Sequence, residues 1–405
     1  MVSTNSHNRR PSAVLVLSLV LVAAGYYFGN PRDHTPFDYT FRIAGQFLDG
    51  HLGLVEEPPD WLNEMVPHRG RYYSVFPLGS VVTLLPVAFL AKCGWLHRMP
   101  SRVIVVLLGA LITIFCYLLS RRYELSEAKR FSLTILLPLG TWTWCNLCFG
   151  GAWQLALGFA VVGQLSALYF VVSDRRPFIA GCCFALAFGN RTEVLLLAPV
   201  FLFLLVWPEP FSRTVLRARA PLWARFCLAP LVLGIATLIY NALRFQSPFD
   251  FGYARIPGVL EEPWYQAGIF SLDAIALNFH QMIVQPWRRI AEFPFLVPTG
   301  FGGSIFLATP ALVLLFRAGS VDRRIKFCAW TSVAVLTLVL WCHGNPGGWQ
   351  FSYRYAMVLL PWVFLILLET SKPRLRVAEA ILMGLSVAIN AYATYLFYWT
   401  PLVQM

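Results

Sequence analysis

Asp38 stands at the start of a helical pattern in the first long polar stretch of the chain, PRDHTPFDYTFRIAGQFLDGHLGLVEEPPDWLNEMVPHRGRYYSVFP, residues 31 to 77. A carboxylate fixed where chain and membrane surface meet can act as a general base on an acceptor hydroxyl. A structural role is equally open to it. Thr35-Pro36-Phe37-Asp38 matches a capping box with Pro in the first turn, and Asp38 with Arg42 is an ordinary i, i+4 pair. Phe37, Phe41, Ala44 and Leu48 recur at helical spacing, so the segment reads as a short amphipathic helix on the outer membrane surface. The stretch carries seven acidic residues, Asp33, Asp38, Asp49, Glu56, Glu57, Asp60 and Glu64.

Basic and aromatic side chains supply the complementary chemistry. GRYYSVFP brings Arg71 and Tyr73 to the point where the chain re-enters the bilayer, either as an aromatic belt or as a groove for a lipid headgroup. In FGNRTE, Arg191 interrupts two short apolar runs and has little room to reach bulk water, which marks a functional position unless it simply pairs with Glu193 or snorkels to the interface. Arg244 and Tyr253 lie in YNALRFQSPFDFGY, the exit from a long apolar run. HGNPGGWQFSYRYA offers glycines for close backbone approach, Trp349 as a stacking face for a sugar, and Tyr353 and Arg354 where a helix resumes; a turn with an aromatic belt accounts for it nearly as well.

The elements that must position these residues are membrane helices. Of the 405 residues, 58% are hydrophobic and only 13% charged, against about 25% charged in soluble domains, and the mean hydropathy is +0.61. Apolar segments near 13–29, 76–91, 102–119, 131–147, 152–173, 177–189, 193–207, 223–243, 304–317, 324–342, 354–369 and 377–399 predict an all-α polytopic bundle of 11 to 12 hydrophobic helices in a single domain, 1–405. Interfacial helices are expected in two outer loops, 30–75 and 244–300, the second with an apolar face of Ile269, Leu272, Ile275, Ala276, Phe279 and Ile283.

Arg and Lys cluster at 121–130, 175–176, 213–225, 317–326 and 372–376, which predicts a cytoplasmic face there and puts 31–75, 190–193, 244–300 and 343–353 on the opposite face. The basic flank and apolar run of the N-terminus read as a retained first helix with its amino end cytoplasmic. Twelve full crossings break this alternation between the first loop and Arg121. The 76–91 segment, with Pro77, Gly79 and Pro86, is therefore expected to dip or lie in the interface.

The net charge of +12 sits in those short clusters and forms no continuous basic stripe, so membrane lipids and not nucleic acid are the expected partners. Nine cysteines fall mostly inside apolar runs and suggest no disulfide framework; Cys145 and Cys148 form the single C-x-x-C. The chain has no Walker loop, H-E-x-x-H, G-x-S-x-G or Rossmann glycine pattern.

Taken in order, FDYTFRIAGQFLDGHLGL, GRYYSVFPLG, NRTE, YNALRFQSPFDFGY and GGWQFSYRYAMVLLPW resemble the GT-C superfamily of integral membrane glycosyltransferases, which includes protein O-mannosyltransferases and lipid A aminoarabinose transferases. The resemblance spans about residues 30 to 370. It implies inverting transfer of a sugar from a polyprenyl-phosphate donor on the non-cytoplasmic face, in the inner membrane if the source is bacterial. Asp38 takes the position of the catalytic carboxylate, Arg191 that of the donor-phosphate cation, and Arg71 with Tyr73 the first-loop cluster. The Asp-Glu pair of many members is here Asp38-Tyr39, leaving Asp33 as the nearby rival. No nucleotide cofactor is implied, and a divalent metal stays open. The other readings are a transporter or flippase for a lipid-linked sugar, expected to show repeat symmetry, and a non-catalytic assembly partner on the same scaffold.

Overall fold

Hydrocarbon leaves the backbone only itself to hydrogen-bond with, so apolar runs become helices and end where Pro, Gly or a basic cluster interrupts them. The computed structural model describes residues 12–59, 62, 64–206 and 213–403; the N-terminal basic flank, Asp60 and the side chain of Arg213 lie outside the described residues. In chain order come α1 (Ala13–Phe28), α2 (Tyr39–Leu48), a hairpin of β1 (Met65–His68) and β2 (Arg71–Ser74), α3 (Leu78–Lys92), α4 (Ser101–Ser120), α5 (Glu127–Leu139), α6 (Thr143–Cys148), α7 (Ala152–Val172) and α8 (Pro177–Asn190). A 3-10 stretch, Thr192–Leu197, runs into α9 (Ala198–Val206), followed by α10 (Arg213–Phe245), α11 (Ala274–Phe279), the short strands β3 (Arg288–Arg289) and β4 (Leu296–Val297), and α12 (Ile305–Ala308). The chain ends with α13 (Arg323–Cys342), α14 (Leu360–Thr370) and α15 (Val377–Trp399).

The fold is an all-α polytopic bundle. Helices α4, α7, residues 217–245 of α10, α13 and α15 are each long and apolar enough to cross a membrane, and the protein is an integral membrane protein. Other apolar segments appear as helices broken at identifiable residues. The 131–147 segment divides around Gly140, with Pro138 inside α5. The 304–317 segment divides at Thr309-Pro310 into α12 and a 3-10 turn.

Basic clusters converge at one end of the bundle. Arg122 donates to the Val172 carbonyl, Tyr123 donates to Glu369 at 2.7 Å, and buried Lys129 meets buried Glu379 at 2.7 Å, where Arg317 also pairs. The other end holds the long loops: Asn30 donates to the Cys148 carbonyl, Tyr398 to that of Cys145, and Asn278 to those of Trp341 and His343.

Helix α3 returns the chain to the end it starts from. Its last residue, Lys92, donates to Leu48 O and Asp49 Oδ1 at the end of α2, and the chain then reaches α4 beside Asp33, where Arg102 N donates to the Asp33 carbonyl. At its start, a Cβ on Gly79 would lie 2.4 Å from the backbone of Gly189, so α3 and the end of α8 meet backbone to backbone there.

Two amphipathic faces differ from their expected form. Helix α2 buries Tyr39, Thr40, Ile43 and Ala44, while Phe41 and Leu48 are half-buried, because the helix packs on α3 and does not lie free on lipid. In the second loop the helix shortens to α11 and a following wide turn, His280–Val284. It buries Asn278 and Met282 and exposes Leu272 and Phe279, because Asn278 is the side chain that ties the loop to α13.

Candidate active site

Asp38 caps α2 by position but not by hydrogen bond: no backbone N–H of the helix reaches its carboxylate. Its Oδ1 instead receives Arg42 Nε at 2.5 Å. The expected capping box is absent, and Thr35 Oγ1 accepts only from Phe37 N, at 3.4 Å. Burial raises the Asp38 carboxyl above its ordinary value, with Arg42 opposing the shift. Asp33 differs in every respect. It is exposed, held by His34 Nδ1 at 2.7 Å and Arg98 Nη2 at 2.9 Å, and the His34 hydrogen bond lowers its pKa.

Phe37 and Tyr39, on either side of Asp38, both lie against Trp153, with centroids 5.3 and 5.2 Å away. The Trp153 indole N–H donates to Glu64 Oε2 at 2.6 Å. Glu64 is thereby joined to the Asp38 segment, and it is a candidate residue that sequence reasoning passed over. Burial raises its carboxyl; the Trp153 hydrogen bond and the charge of Arg354 pull the other way. Nothing local marks Glu64 among the seven first-loop acids. Its indole partner lies 89 residues away, so only the return of α7 beneath the loop reveals it.

Near Glu64, within range of the Arg354 charge, is a cationic nook. At Arg191 the backbone leaves α8 in an extended conformation, φ −138° and ψ 99°, while Asn190 closes the helix end by donating to Leu186 O and Thr83 Oγ1. Arg191 pairs with Glu193 at 2.8 Å, and its guanidinium carbon lies 4.9 Å from the Tyr355 ring centre. Arg354 approaches the same ring at 5.1 Å.

Arg354 is 5% exposed, yet among the described residues no carboxylate forms an ion pair with it. Its Nη1 donates to Trp349 O at 3.2 Å, its Nη2 to Tyr355 Oη at 3.4 Å, and its Nε has no partner. A buried guanidinium so placed is costly unless an anion completes it. His343 closes one side of the nook, its ring 5.8 Å from Tyr355 and 6.3 Å from Tyr253. Burial lowers the His343 pKa, and the charges of Arg191 and Arg354 add to the shift. Burial raises the phenols of Tyr253 and Tyr265, so both stay protonated; their hydroxyls share one hydrogen bond at 2.7 Å.

The remaining expected residues fall in three places. Tyr353 is buried beneath the nook and donates to Asn278 at 2.8 Å, which fixes the 343–355 segment on α11. Arg244 is engaged as a staple: its Nη1 donates to Ser74 O and its Nη2 to Asn241 Oδ1, both at 2.6 Å, with the guanidinium 3.8 Å from the Tyr240 ring. Tyr73 follows it into the same packing, against Phe245 at 5.7 Å. Arg71 faces His68 across the hairpin, and among the described residues no hydrogen bond or ring contact joins it to Arg191. Trp349 stands on the far side of the Phe37–Trp153 wall, over a cleft of about 360 Å³.

Among the described residues, no three His, Cys, Asp or Glu side chains group as a metal site. Cys145 and Cys148 are both buried free thiols in α6. No family model matches the chain, and no curated protein does. Among solved structures, the chain is similar to the apo form of the Archaeoglobus fulgidus oligosaccharyltransferase, at 15% identity and a TM-score of 0.49 over 95% of this chain and 55% of that one. The chain thus spans about half the length of that enzyme.

Proposed function

We propose that this protein is a membrane glycosyltransferase of GT-C type that moves a sugar from a polyprenyl-phosphate donor to an acceptor hydroxyl on the non-cytoplasmic face. The observation that carries the reading is the pair of guanidiniums on Tyr355. Arg354 is buried with no carboxylate in ion-pair contact among the described residues, Glu64 acting on it only at longer range, and Arg191 keeps only Glu193, so the nook has capacity for an anion such as a phosphate. A phosphate is already a good leaving group, and the reaction needs cations to receive it, a base for the acceptor and orientation of both. No nucleotide enters this chemistry.

Asp38 is the base in this account. It takes the acceptor proton as the acceptor oxygen bonds to the sugar's anomeric carbon; the bond from that carbon to phosphate oxygen breaks, and its electron pair leaves with the phosphate toward Arg191 and Arg354. Inversion follows from displacement on the opposite side. Glu64, tied to Trp153 and facing Arg354, serves the donor end. Tyr253, Tyr353 and Trp349 line or support the sugar's surroundings, with Arg244 and Tyr73 holding the second loop against the first.

Purified protein in lipid nanodiscs, given a labelled polyprenyl-phosphate sugar and membrane extract as acceptor source, tests this reading. Transfer that is lost in Arg354→Gln supports it. Tight donor binding without transfer under any acceptor supply would instead favour a flippase or an assembly partner.

A further inference from the structure

We propose that the cleft walled by Arg32, His34, Phe37, Trp349, Tyr398 and Thr400 binds an anionic saccharide and forms the acceptor end of the site, an assignment that rests on the glycosyl-transfer reading. Its volume of about 360 Å³ falls within the range of about 300 to 1,000 Å³ usual for small-molecule pockets. It opens between the end of α1, the first loop and the end of α15, where a ligand can arrive from solvent or from the outer membrane surface.

Its walls are rings held by other rings. Trp349 is braced by Phe397 at 5.1 Å, and Phe37 is stacked on Phe149 at 5.7 Å, so both present fixed apolar faces for the C–H side of a sugar. The one Arg in the lining, Arg32, is its fixed charge, and the lining holds no Asp or Glu. The nearby Asp33 carboxylate is taken by His34 and Arg98. Among the described residues the Arg32 guanidinium makes no ion pair, and Arg32 is anchored through its backbone N–H to Asn30 Oδ1 at 2.9 Å. Aromatic faces with an unpaired cation at the rim select a saccharide that carries negative charge.

The cleft and the cationic nook share one wall. Phe37 lines the cleft and the next residue is Asp38; Trp349 lines the cleft and its carbonyl receives Arg354. A saccharide seated on Trp349 therefore lies along the segment that carries the base, while the donor phosphate lies beyond Trp153. The cleft and the nook thus draw on one wall and on different cations.

The test is binding of free glucuronate, octyl glucuronide and methyl glucoside to the full chain in nanodiscs, followed by saturation-transfer NMR, with melting temperature as the folding control. Glucuronate is expected to bind about tenfold more tightly than methyl glucoside, the scale of one hydrogen bond to a charged group. Exposed Arg32→Ala should erase that preference and keep the fold. Trp349→Ala should weaken both sugars, and Trp349→Phe should restore them. Tighter binding of the octyl form identifies a lipid-borne acceptor, and equal binding a free glycan.

Absence of charge preference, or loss that follows Arg191→Gln and spares Arg32→Ala, overturns the assignment, because the sugar would then occupy the donor nook or no built site. Binding that depends on Arg32 and Trp349 in a protein that transfers no sugar would uphold the cleft and remove the glycosyltransferase reading.

Discussion

Arg191 and Arg354 hold the same ring: their guanidinium carbons lie 4.9 and 5.1 Å from the centre of Tyr355, although 163 positions, 354 minus 191, separate them in sequence. The two are not equivalent. Arg191 has Glu193 at 2.8 Å, whereas Arg354 relies on a carbonyl and a phenol.

That asymmetry predicts unequal effects on donor binding. Loss of a hydrogen bond to a charged group costs about 1.5 to 3 kcal/mol, roughly tenfold to a hundredfold in affinity. Arg354→Gln should reach the upper part of that range and Arg191→Gln the lower, since Glu193 already neutralises Arg191 in the empty site. Titration of each variant with a polyprenyl-phosphate sugar in nanodiscs measures both. Equal donor affinity in Arg354→Gln and the parent protein would remove the phosphate from the nook.

Arg244 should behave as a structural residue. Substitution by Ala removes two hydrogen bonds at 2.6 Å and a ring stack from a buried position, leaving Ser74 O and Asn241 without their partner. A destabilisation of about 2 to 3 kcal/mol is expected. The check is melting temperature beside donor affinity at a temperature where the variant is folded: the first should fall and the second should hold.

The carboxyls of Asp38 and Glu64 are raised, in each case chiefly by burial. A base works only when deprotonated, so transfer should climb with pH along a limb displaced above the ordinary carboxylate value of about 4. For stability the sign is opposite to that of a salt-bridged acid. A raised folded pKa means folding favours the protonated form, so this contribution is complete below the unfolded pKa and is lost as pH rises through the folded one. Melting temperature should therefore fall with rising pH across that window, and Glu64→Gln should flatten part of the fall. A melting curve for Glu64→Gln that parallels the parent at every pH would contradict the burial of this carboxyl.

The bundle was legible in the sequence because hydrocarbon imposes its demands locally. Apolar length, Pro breaks such as Pro138 and Thr309-Pro310, and basic clusters at helix ends are each written within a few residues. What could not be read locally was which face of α2 or α11 is covered, because packing on α3 and the Asn278 bonds override the apolar periodicity. The site divides in the same way. Arg191 announces itself by its depth, while Glu64 acquires meaning only through Trp153 and Arg354, and Arg244 resembles a ligand-binding cation until Ser74 and Asn241 are seen to occupy it.

Turnover of Asp38→Asn, set beside its melting temperature and beside Asp33→Asn, tests the central claim most directly. Asp38 makes no capping hydrogen bond, its i,i+4 partner Arg42 is half-exposed, and Asn keeps its size and an acceptor oxygen for Arg42, so the fold should change by about 1 kcal/mol or less. Removal of a positioned acid-base group typically costs about a hundredfold to ten-thousandfold in rate. The account predicts a loss of that size in Asp38→Asn with the melting temperature nearly kept, and near-normal transfer in Asp33→Asn, whose carboxylate is exposed and paired with Arg98. Normal transfer by Asp38→Asn would contradict it.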